Sequence, residues 1–474
     1  MFFSKTFIFL VSSFTFINAY SQTNYTLQQC IAIAQKNNLD ILQTAYTTQN
    51  LEIAQSLAYY AQFPVVNGMF AHSLNAGKRY DPLAGRQANA IYQGQNFGVS
   101  ASATLYQGGT LQMQKEKAAL DLEKNSLTIA NLQNQYTTSI ANIYLQLVVA
   151  EENVRIQTEQ QLLTQKQVER LQKLYKAGTI TVDQIAAMEA QEAQEKYTGL
   201  QYAQQINTSK TDLKALMNLP LQQDLTISKP TISAYKNKRI DNAEAIYKEA
   251  LLVQTGLKVW EKEQEINTLQ TKIAKVSSYP QVTLSGSFGT GYSSLAIDES
   301  KINITGISVA QDISRYTASG EAIYQSSPQF IIPKMNYFKQ LGQNVSPSIS
   351  LQVNVPIFNG YQTKYAYQRS ILSNKNTEIE IKKTELNLYK NVKNTYDLYT
   401  SSFNKLEAAT KQLDSRKIAF QLVQKKYELG ALTIYDYTQA KTLLTVAEQN
   451  VLQAQYEIEF YNILLTIYQK GEYK

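Results

Sequence analysis

The sequence predicts an α+β membrane protein in which strand hairpins alternate with hairpins of very long helices, and three observations support this. At two places an alternating strand runs through glycine into a long helical segment: FGVSASATLYQGGTLQMQKEKAAL, residues 97–120, and SISLQVNVPIFNGYQTKYAYQRSIL, residues 348–372. The shared glycines of these junctions lie 252 positions apart, which indicates an internal duplication. Beyond the N-terminal segment there is no run of about 18 apolar residues, so no transmembrane helix is expected.

The N-terminal segment, residues 1–21, is predicted to be a secretory signal peptide, with the mature chain at 22–474. Lys5 precedes an apolar run, and small residues stand at the expected cleavage site. The chain is therefore expected to leave the cytoplasm. Cys30, the only cysteine, lies well past that site, so we interpret it as a small apolar residue on a helix face rather than a lipid-acceptor or redox residue.

Two further pairs of landmarks support the duplication. YKAGTITVDQ from Tyr175 and YELGALTIYD from Tyr427 are also 252 positions apart, whereas FPVV and YPQV, which begin at Phe63 and Tyr279, are 216 apart. The second half therefore carries additional residues ahead of its last strand. Two structural repeats are predicted, at about 22–219 and 240–474.

Four strands are predicted per chain, each about 9 to 11 residues long, the length that a tilted strand needs to cross a bilayer. Apolar residues alternate with small or polar ones over residues 97–105 and again over 349–357. A third strand covers 282–288 and a weaker one 64–74. The alternative for any single strand is one sheet of a soluble sandwich, but two hairpins set among helices leave such a sandwich little to pack against.

Each strand hairpin leads into a hairpin of long helices. Residues 109–175 contain no proline, and apolar residues recur there at spacings of three and four, which is typical of a coiled coil with a narrow apolar seam. A helix of about 65 residues is on the order of 100 Å long. Gly178 and Gly430 are expected to end these helices, and Thr181 and Thr433 to be the N-caps of the returning ones.

The strand-helix junctions are expected to mark where a membrane strand leaves the bilayer and continues as a helix in an aqueous space, because glycine adopts conformations that other residues avoid. They comprise Gly108, Gly109, Asn359 and Gly360. Four strands cannot close on themselves, and open strand edges in lipid leave backbone groups unpaired. The chain is therefore expected to oligomerise into a shared barrel, which also buries the helical seams against neighbouring hairpins.

The sequence resembles the TolC-like outer membrane efflux protein family over essentially the whole mature chain. The resemblance rests on TLQQCIAIAQKNNLDILQ near the start, proline-led strands, strand-to-helix glycines, LKALMNLPLQQDLTI closing the first half, and paired YxxGxxT tips. It implies a homotrimer whose chains each give four strands to one twelve-stranded β-barrel, continued by a long α-helical coiled-coil barrel. It further implies the exit duct of a tripartite efflux or type I secretion system, with a periplasmic adaptor protein and an inner-membrane pump as partners.

The resemblance also implies roles for residues at the helix tips. The adaptor contacts are expected at Ala177, Gly178, Thr179, Ile180, Thr181, Leu429, Gly430, Ala431, Leu432 and Thr433. Asp436 matches an acidic position that meets its copies around the threefold axis, and Tyr427 matches a tyrosine that helps to hold the closed end. The next acidic position falls on Gln439, so one acidic ring and a cation-preferring constriction are expected. The alternative for Asp436 is a favourable interaction with the helix dipole.

Residues 289–346 contain the additional residues of the second half and lie between two strands, on the side away from the helices. Tyrosine, serine and glycine are frequent there, which favours an ordered but polar extracellular cap; a mobile linker is the alternative.

The sequence offers no constellation for catalysis, for a metal or for a cofactor. The only histidine, His72, lies in a predicted strand, Trp260 lies in a helix, and no acidic or serine cluster has diagnostic spacing. The net charge of +7 is scattered along helical segments, which favours solvated helix faces over a nucleic-acid partner. The alternative function is that of a periplasmic coiled-coil adaptor or a surface structural protein without a pore, which the strands of membrane-spanning length disfavour.

Overall fold

The computed structural model describes residues 24–81, 86–229 and 242–473, and the predicted signal peptide lies outside them. The helices in these ranges are α1 (Leu27–Asn37), α2 (Leu39–Tyr60), α3 (Thr110–Lys176), α4 (Val182–Leu216), α5 (Ala243–Val253), α6 (Thr255–Val276), α7 (Tyr337–Gln343), α8 (Gln362–Glu428) and α9 (Ile434–Lys470). The strands are β1 (Asn24–Tyr25), β2 (Val65–Asp81), β3 (Arg86–Gln107), β4 (Thr226–Ile227), β5 (Gln281–Ser293), β6 (Asn303–Tyr316), β7 (Ala322–Ile331) and β8 (Ser346–Asn354). None of the helices described is both long and apolar enough to span a membrane.

The elements recur in the same order in both halves. Helix α8 begins and ends 252 residues after α3, and both have 67 residues. Helices α5 and α6 follow α1 and α2 by 216 residues at each bound. Each half is thus a pair of short helices, a pair of strands, a long helix and a returning helix, at the two spacings seen in the sequence.

One compact unit, residues 52–119 and 266–374, contains an antiparallel four-stranded sheet in the order β2-β3-β5-β8. The predicted strand length is wrong for β2 and β3, which have 17 and 22 residues, because their pairing continues to Asp81 and Arg86. Strand β8 has 9 residues and ends at Asn354, short of the predicted Ile357. Pro356, which lies in between, has no backbone N–H to donate to a ladder.

In the same unit, the additional residues of the second half form a hairpin of β6 and β7, followed by α7. The hairpin base is anchored: the Lys339 ammonium lies 2.7 Å from the Asp298 carboxylate, and the Ser293 N–H donates to Gln340 Oε1 at 2.8 Å. The segment has regular secondary structure, and it is not uniformly polar. Exposed apolar side chains share one face of the hairpin: Ile304, Ile307, Val309 and Phe330.

The other unit comprises the described parts of residues 1–51, 120–265 and 375–474 and is mainly helical. Helices α1, α3, α4 and α9 share one apolar core, in which Cys30 is fully buried. Burial raises the pKa of the Cys30 thiol to about 12, which suits a structural apolar residue. Helix α8, the counterpart of α3, also buries part of an apolar seam, since Val392 and Tyr399 pack with Ile246 of α5 and Ile458 of α9.

Candidate functional site: helix tips and strand-helix junctions

The two helix tips are glycine turns with the same backbone geometry. Gly178 and Gly430 have φ values of +78° and +75°, a left-handed conformation that glycine adopts without strain. Apart from the residues adjacent in the chain, no atom lies within 4 Å of where a Cβ would stand at either glycine. The turns are therefore open, and the predicted contact residue Leu429 beside the second glycine is 85% exposed.

The two returning helices begin differently. At α9 the Thr433 side chain accepts from the Asp436 N–H at 3.2 Å, and the Asp436 carboxylate accepts from the Thr433 N–H at 2.9 Å, which forms a capping box. The Thr433 hydroxyl also donates to the Asp436 carboxylate at 2.6 Å, and this bond, with that from the Thr433 N–H, lowers the pKa of Asp436. Thr181 stands at the N-cap position of α4, but its side chain makes no capping hydrogen bond. Both threonines thus stand at the predicted N-cap positions, but only Thr433 makes a capping hydrogen bond.

Tyr427 belongs to an apolar cluster that joins the two tips. Its ring packs on Tyr437 of α9 with centroids 4.9 Å apart. Tyr437 is buried, which raises its pKa to about 12, while the preceding Asp436 is exposed. The buried members of the cluster come from α3, α4 and α9: Val168, Leu171, Ile185, Met188, Ile434 and Tyr437.

The structure contains a buried ion pair near the tips that was not predicted from the sequence. The Lys441 ammonium of α9, 1% exposed, lies 2.9 Å from the Glu195 carboxylate of α4 and donates to the Gln160 carbonyl of α3 at 2.6 Å. Thr164 accepts from Lys441 and donates to Glu195 Oε2 at 2.6 Å. Burial lowers the pKa of Lys441, and the Glu195 carboxylate opposes that shift.

The signal that could have revealed this pair is the position of the lysine in the apolar pattern of α9. Ile434, Tyr437, Lys441 and Leu444 follow one another at spacings of three, four and three. All four are buried, so a charged residue occupies a position of the buried stripe.

The strand-helix junctions also adopt left-handed backbone conformations. In the first half Gly108 and Gly109 have φ values of +60° and +79°, and in the second half Gly360 and Tyr361 have +65° and +64°. Asn359 does not adopt this conformation and instead donates from its side chain to Thr363 Oγ1 at 2.6 Å. Tyr361, the counterpart of Gly109, is therefore a junction residue that the sequence analysis missed, because only glycine and asparagine were considered there.

Comparison with known proteins identifies the family. The family model described as outer membrane efflux protein matches residues 246–463, which include the second tip and the second junction. Over this segment, just under half of the chain, the protein matches the outer membrane efflux protein family. The expected family and its outer membrane location are thereby confirmed.

Individual relatives match this efflux protein over most of its length. It is 21% identical over 434 residues to the pyoverdine export outer membrane protein OpmQ of Pseudomonas putida, a match that covers 90% of this chain and 81% of that one. Its fold is similar to that of the CmeC outer membrane channel of Campylobacter jejuni, with a TM-score of 0.76 at 13% identity over 94% of this chain and 86% of that chain. The VceC outer membrane protein of Vibrio cholerae gives a TM-score of 0.72 at 13% identity over 94% and 97% of the two chains.

His72 and Trp260, the other two residues considered in the sequence, lie on a strand and a helix. On β2 of this efflux protein His72 is exposed, and its Nδ1 lies 3.3 Å from Gln95 Nε2 on β3. Trp260 is partly buried on α6. Among the residues that the structure describes, no three His, Cys, Asp or Glu side chains are grouped closely enough to hold a metal ion.

Proposed function

We propose that this efflux protein is the passive exit duct of a tripartite efflux or type I secretion system, through which small molecules or proteins leave the cell. One observation carries the proposal. Two strand pairs form one sheet, and each pair passes through a left-handed junction into a helix of 67 residues. This repeated strand-to-helix design suits a chain that combines a membrane sheet with periplasmic helices. The relative OpmQ is a pyoverdine export protein, which agrees with a role in export.

The proposed assembly is a homotrimer with a twelve-stranded barrel. Strands β2 and β8 stand at the two ends of the four-stranded order and pair on one side only among the described strands. Unpaired backbone groups in lipid are unfavourable, and edge-to-edge pairing with further copies removes both edges. Three copies of the sheet then complete the barrel, with the internal duplication supplying two strand pairs per copy.

The proposed partners are a periplasmic adaptor protein at the glycine tips and, through it, an inner-membrane pump that supplies the energy. The open turns at Gly178 and Gly430 and the exposed Leu429 suit close contact with a partner's own tips. A periplasmic adaptor or surface protein without a pore remains the second candidate, but the four-stranded sheet with its two edges favours the duct.

Export and conduction test the proposal together. Replacing Gly178 and Gly430 with tryptophan should abolish export while membrane insertion and the trimer persist. The purified wild-type protein should conduct ions in planar bilayers without nucleotide. If the bilayer showed no ion conductance at any voltage, the duct would be contradicted. If the tryptophan variant exported at the wild-type level, the tip contact would be contradicted.

Asp436 is proposed to line the periplasmic constriction, with Tyr427 holding the closed end. The carboxylate is exposed, and its lowered pKa keeps it charged near neutral pH. Around a threefold axis three such charges attract cations. Asp436→Asn should reduce cation selectivity in single-channel recordings, with Asp183→Asn at the first tip as the control. Unchanged selectivity would leave Asp436 with its capping role alone.

A further inference from the structure

The two halves of the chain bury matching helix faces unequally. Helix α2 exposes a stripe of large apolar residues: Leu39, Leu42, Tyr46, Ile53, Leu57 and Tyr60. The matching stripe on α6, 216 residues further along, is partly or fully buried and includes Leu269, which is 5% exposed. The same face is therefore covered in the second half and uncovered in the first.

Helix α8 likewise exposes apolar residues at positions where its counterpart α3 is partly buried. Tyr365, Leu372, Ile379 and Leu386 recur every seven residues, and each is more than half exposed. Their counterparts on α3, 252 residues earlier, are all partly buried: Met113, Leu120, Leu127 and Asn134. Thus α8 carries an uncovered heptad seam whose equivalent on α3 is covered.

Within the chain, the covered faces of α3 and α6 pack on each other. Lys262 of α6 lies 3.1 Å from Glu123 of α3, and Glu263 lies 2.8 Å from Lys124. Near the start of α6, a Cβ at Gly256 would lie 3.1 Å from Asn131 Oδ1. These three pairs define the register of α6 on α3.

We propose that α2 of one copy packs on α8 of the next copy in the register in which α6 packs on α3. Each α6 residue of the three pairs has its α2 counterpart 216 positions earlier, and each α3 residue has its α8 counterpart 252 positions later. The resulting partners are chemically compatible. The pair of Gly256 and Asn131 becomes Asp40 opposite Lys383, which are oppositely charged. The other two pairs become Tyr46 opposite Lys375 and Thr47 opposite Asn376.

The geometry of Asp40 supports this contact. Tyr136 of α3 donates a hydrogen bond to its carboxylate, which fixes the charge at the surface of α2. Thr48, two turns further along α2, is also held by α3, since Asn125 donates to it at 2.8 Å. A contact between two different faces of the chain is heterologous and forms a ring when the rotation closes. The inference rests on the proposed trimer and specifies which surfaces build it.

Disulfide trapping tests the register. In a Cys30→Ala background, D40C/K383C should give disulfide-linked dimers and trimers on non-reducing gels, whereas each single variant should give monomers. Co-expression of a D40C copy and a K383C copy with different tags should give the mixed dimer. Asn387 is exposed one turn beyond Lys383, and D40C/N387C should cross-link at least tenfold less.

Two outcomes separate this contact from the exit duct itself. A trimer by light scattering without D40C/K383C cross-links, or with equal cross-linking by D40C/N387C, would overturn the register while leaving the duct standing. Absence of any oligomer would overturn the trimer as well. Charge reversal gives a second measurement: K383D should lower the melting temperature of the trimer more than the neighbouring K382D, and D40K/K383D should regain most of the loss.

Discussion

At the residue scale, the buried pair of Lys441 and Glu195 matters most for the tips. It joins α9 to α4, and the Gln160 carbonyl and Thr164 satisfy further hydrogen bonds of the ammonium. Removing one member of such a pair leaves an uncompensated buried charge, which is far more unfavourable than losing a surface pair.

We expect Lys441→Met to destabilise the helical unit by about 3 to 5 kcal/mol. Lys441→Met combined with Glu195→Leu should recover most of this loss, because neither charge then remains buried. Thermal unfolding followed by circular dichroism measures both. Lys405, whose partner Glu457 lies 3.0 Å away at the surface, supplies the control, and Lys405→Met should change stability by less than about 1 kcal/mol. Equal losses at the two lysines would contradict the buried-pair argument.

The N-cap threonines give a second residue-level prediction. Thr433→Ala removes a capping hydrogen bond and should lower stability by about 1 kcal/mol, whereas Thr181→Ala should have little effect because no such bond exists there. The same unfolding measurement applies. A similar loss for both threonines would show that the caps do not differ.

Asp436 makes the stability of the second tip depend on pH. Its pKa is lowered in the folded protein, so its stabilising contribution is present above the ordinary value of 3.8 and is lost as the pH falls through the lower folded value. Between about pH 5 and pH 2 the melting temperature of wild type should fall more than that of Asp436→Asn. If the melting temperatures of the two proteins fell equally with pH, the Asp436 carboxylate would not contribute to stability.

At the element scale, the strand-helix junctions are the most constrained part of the chain. Each places two consecutive residues at positive φ. A Cβ at Gly108 would stand 3.0 Å from the Val276 carbonyl oxygen, whereas a Cβ at Gly360 would have no neighbour within 4 Å. The two glycines therefore share a backbone requirement but differ in the space around them.

Alanine at these glycines separates backbone strain from crowding. Gly360→Ala should lower stability by about 1 to 2 kcal/mol through the left-handed conformation alone. Gly108→Ala should be worse, because the Val276 backbone must also shift. Unfolding of the detergent-solubilised protein compares the two, and a larger loss at Gly360 would contradict this ranking.

The sequence predicted the helices better than the strands. The long segment of periodic apolar residues without proline predicted α3 to within a residue or two of its observed bounds. A glycine directly precedes this helix and another follows its end, which marks both bounds. Strand ends were less predictable, since pairing between β2 and β3 continues through Gln93, Asn89 and other polar residues where alternation is weak. The left-handed Tyr361 and the ion pair of Lys441 were missed because both contradict the usual preference of their residue type.

At the scale of the whole molecule, the additional hairpin lies at one end of the sheet. Strand β5 starts just after α6, and β8 ends just before α8, so β6, β7 and α7 connect the ends of these strands that lie away from the helices. The Asp298–Lys339 ion pair and the Gln340 side chain hold the base of the hairpin there.

Cysteine labelling on intact cells tests the orientation of the chain. Ser319→Cys, in the turn of the hairpin, should react with a membrane-impermeant maleimide, whereas Thr179→Cys at the first tip should react only after the outer membrane is permeabilised. Both residues are exposed, so accessibility alone does not favour either. The reverse pattern would contradict an extracellular hairpin.

The pairing of Glu195 with Lys441 also has a consequence for biogenesis. The two residues are 246 positions apart, so the carboxylate meets its ammonium only after nearly the whole polypeptide has been synthesised and translocated. A truncated chain that lacks the last helix would leave the Glu195 carboxylate without its cation and the apolar side chains around it exposed. We therefore expect a chain that lacks the last helix to be cleaved faster by proteases than the full-length chain.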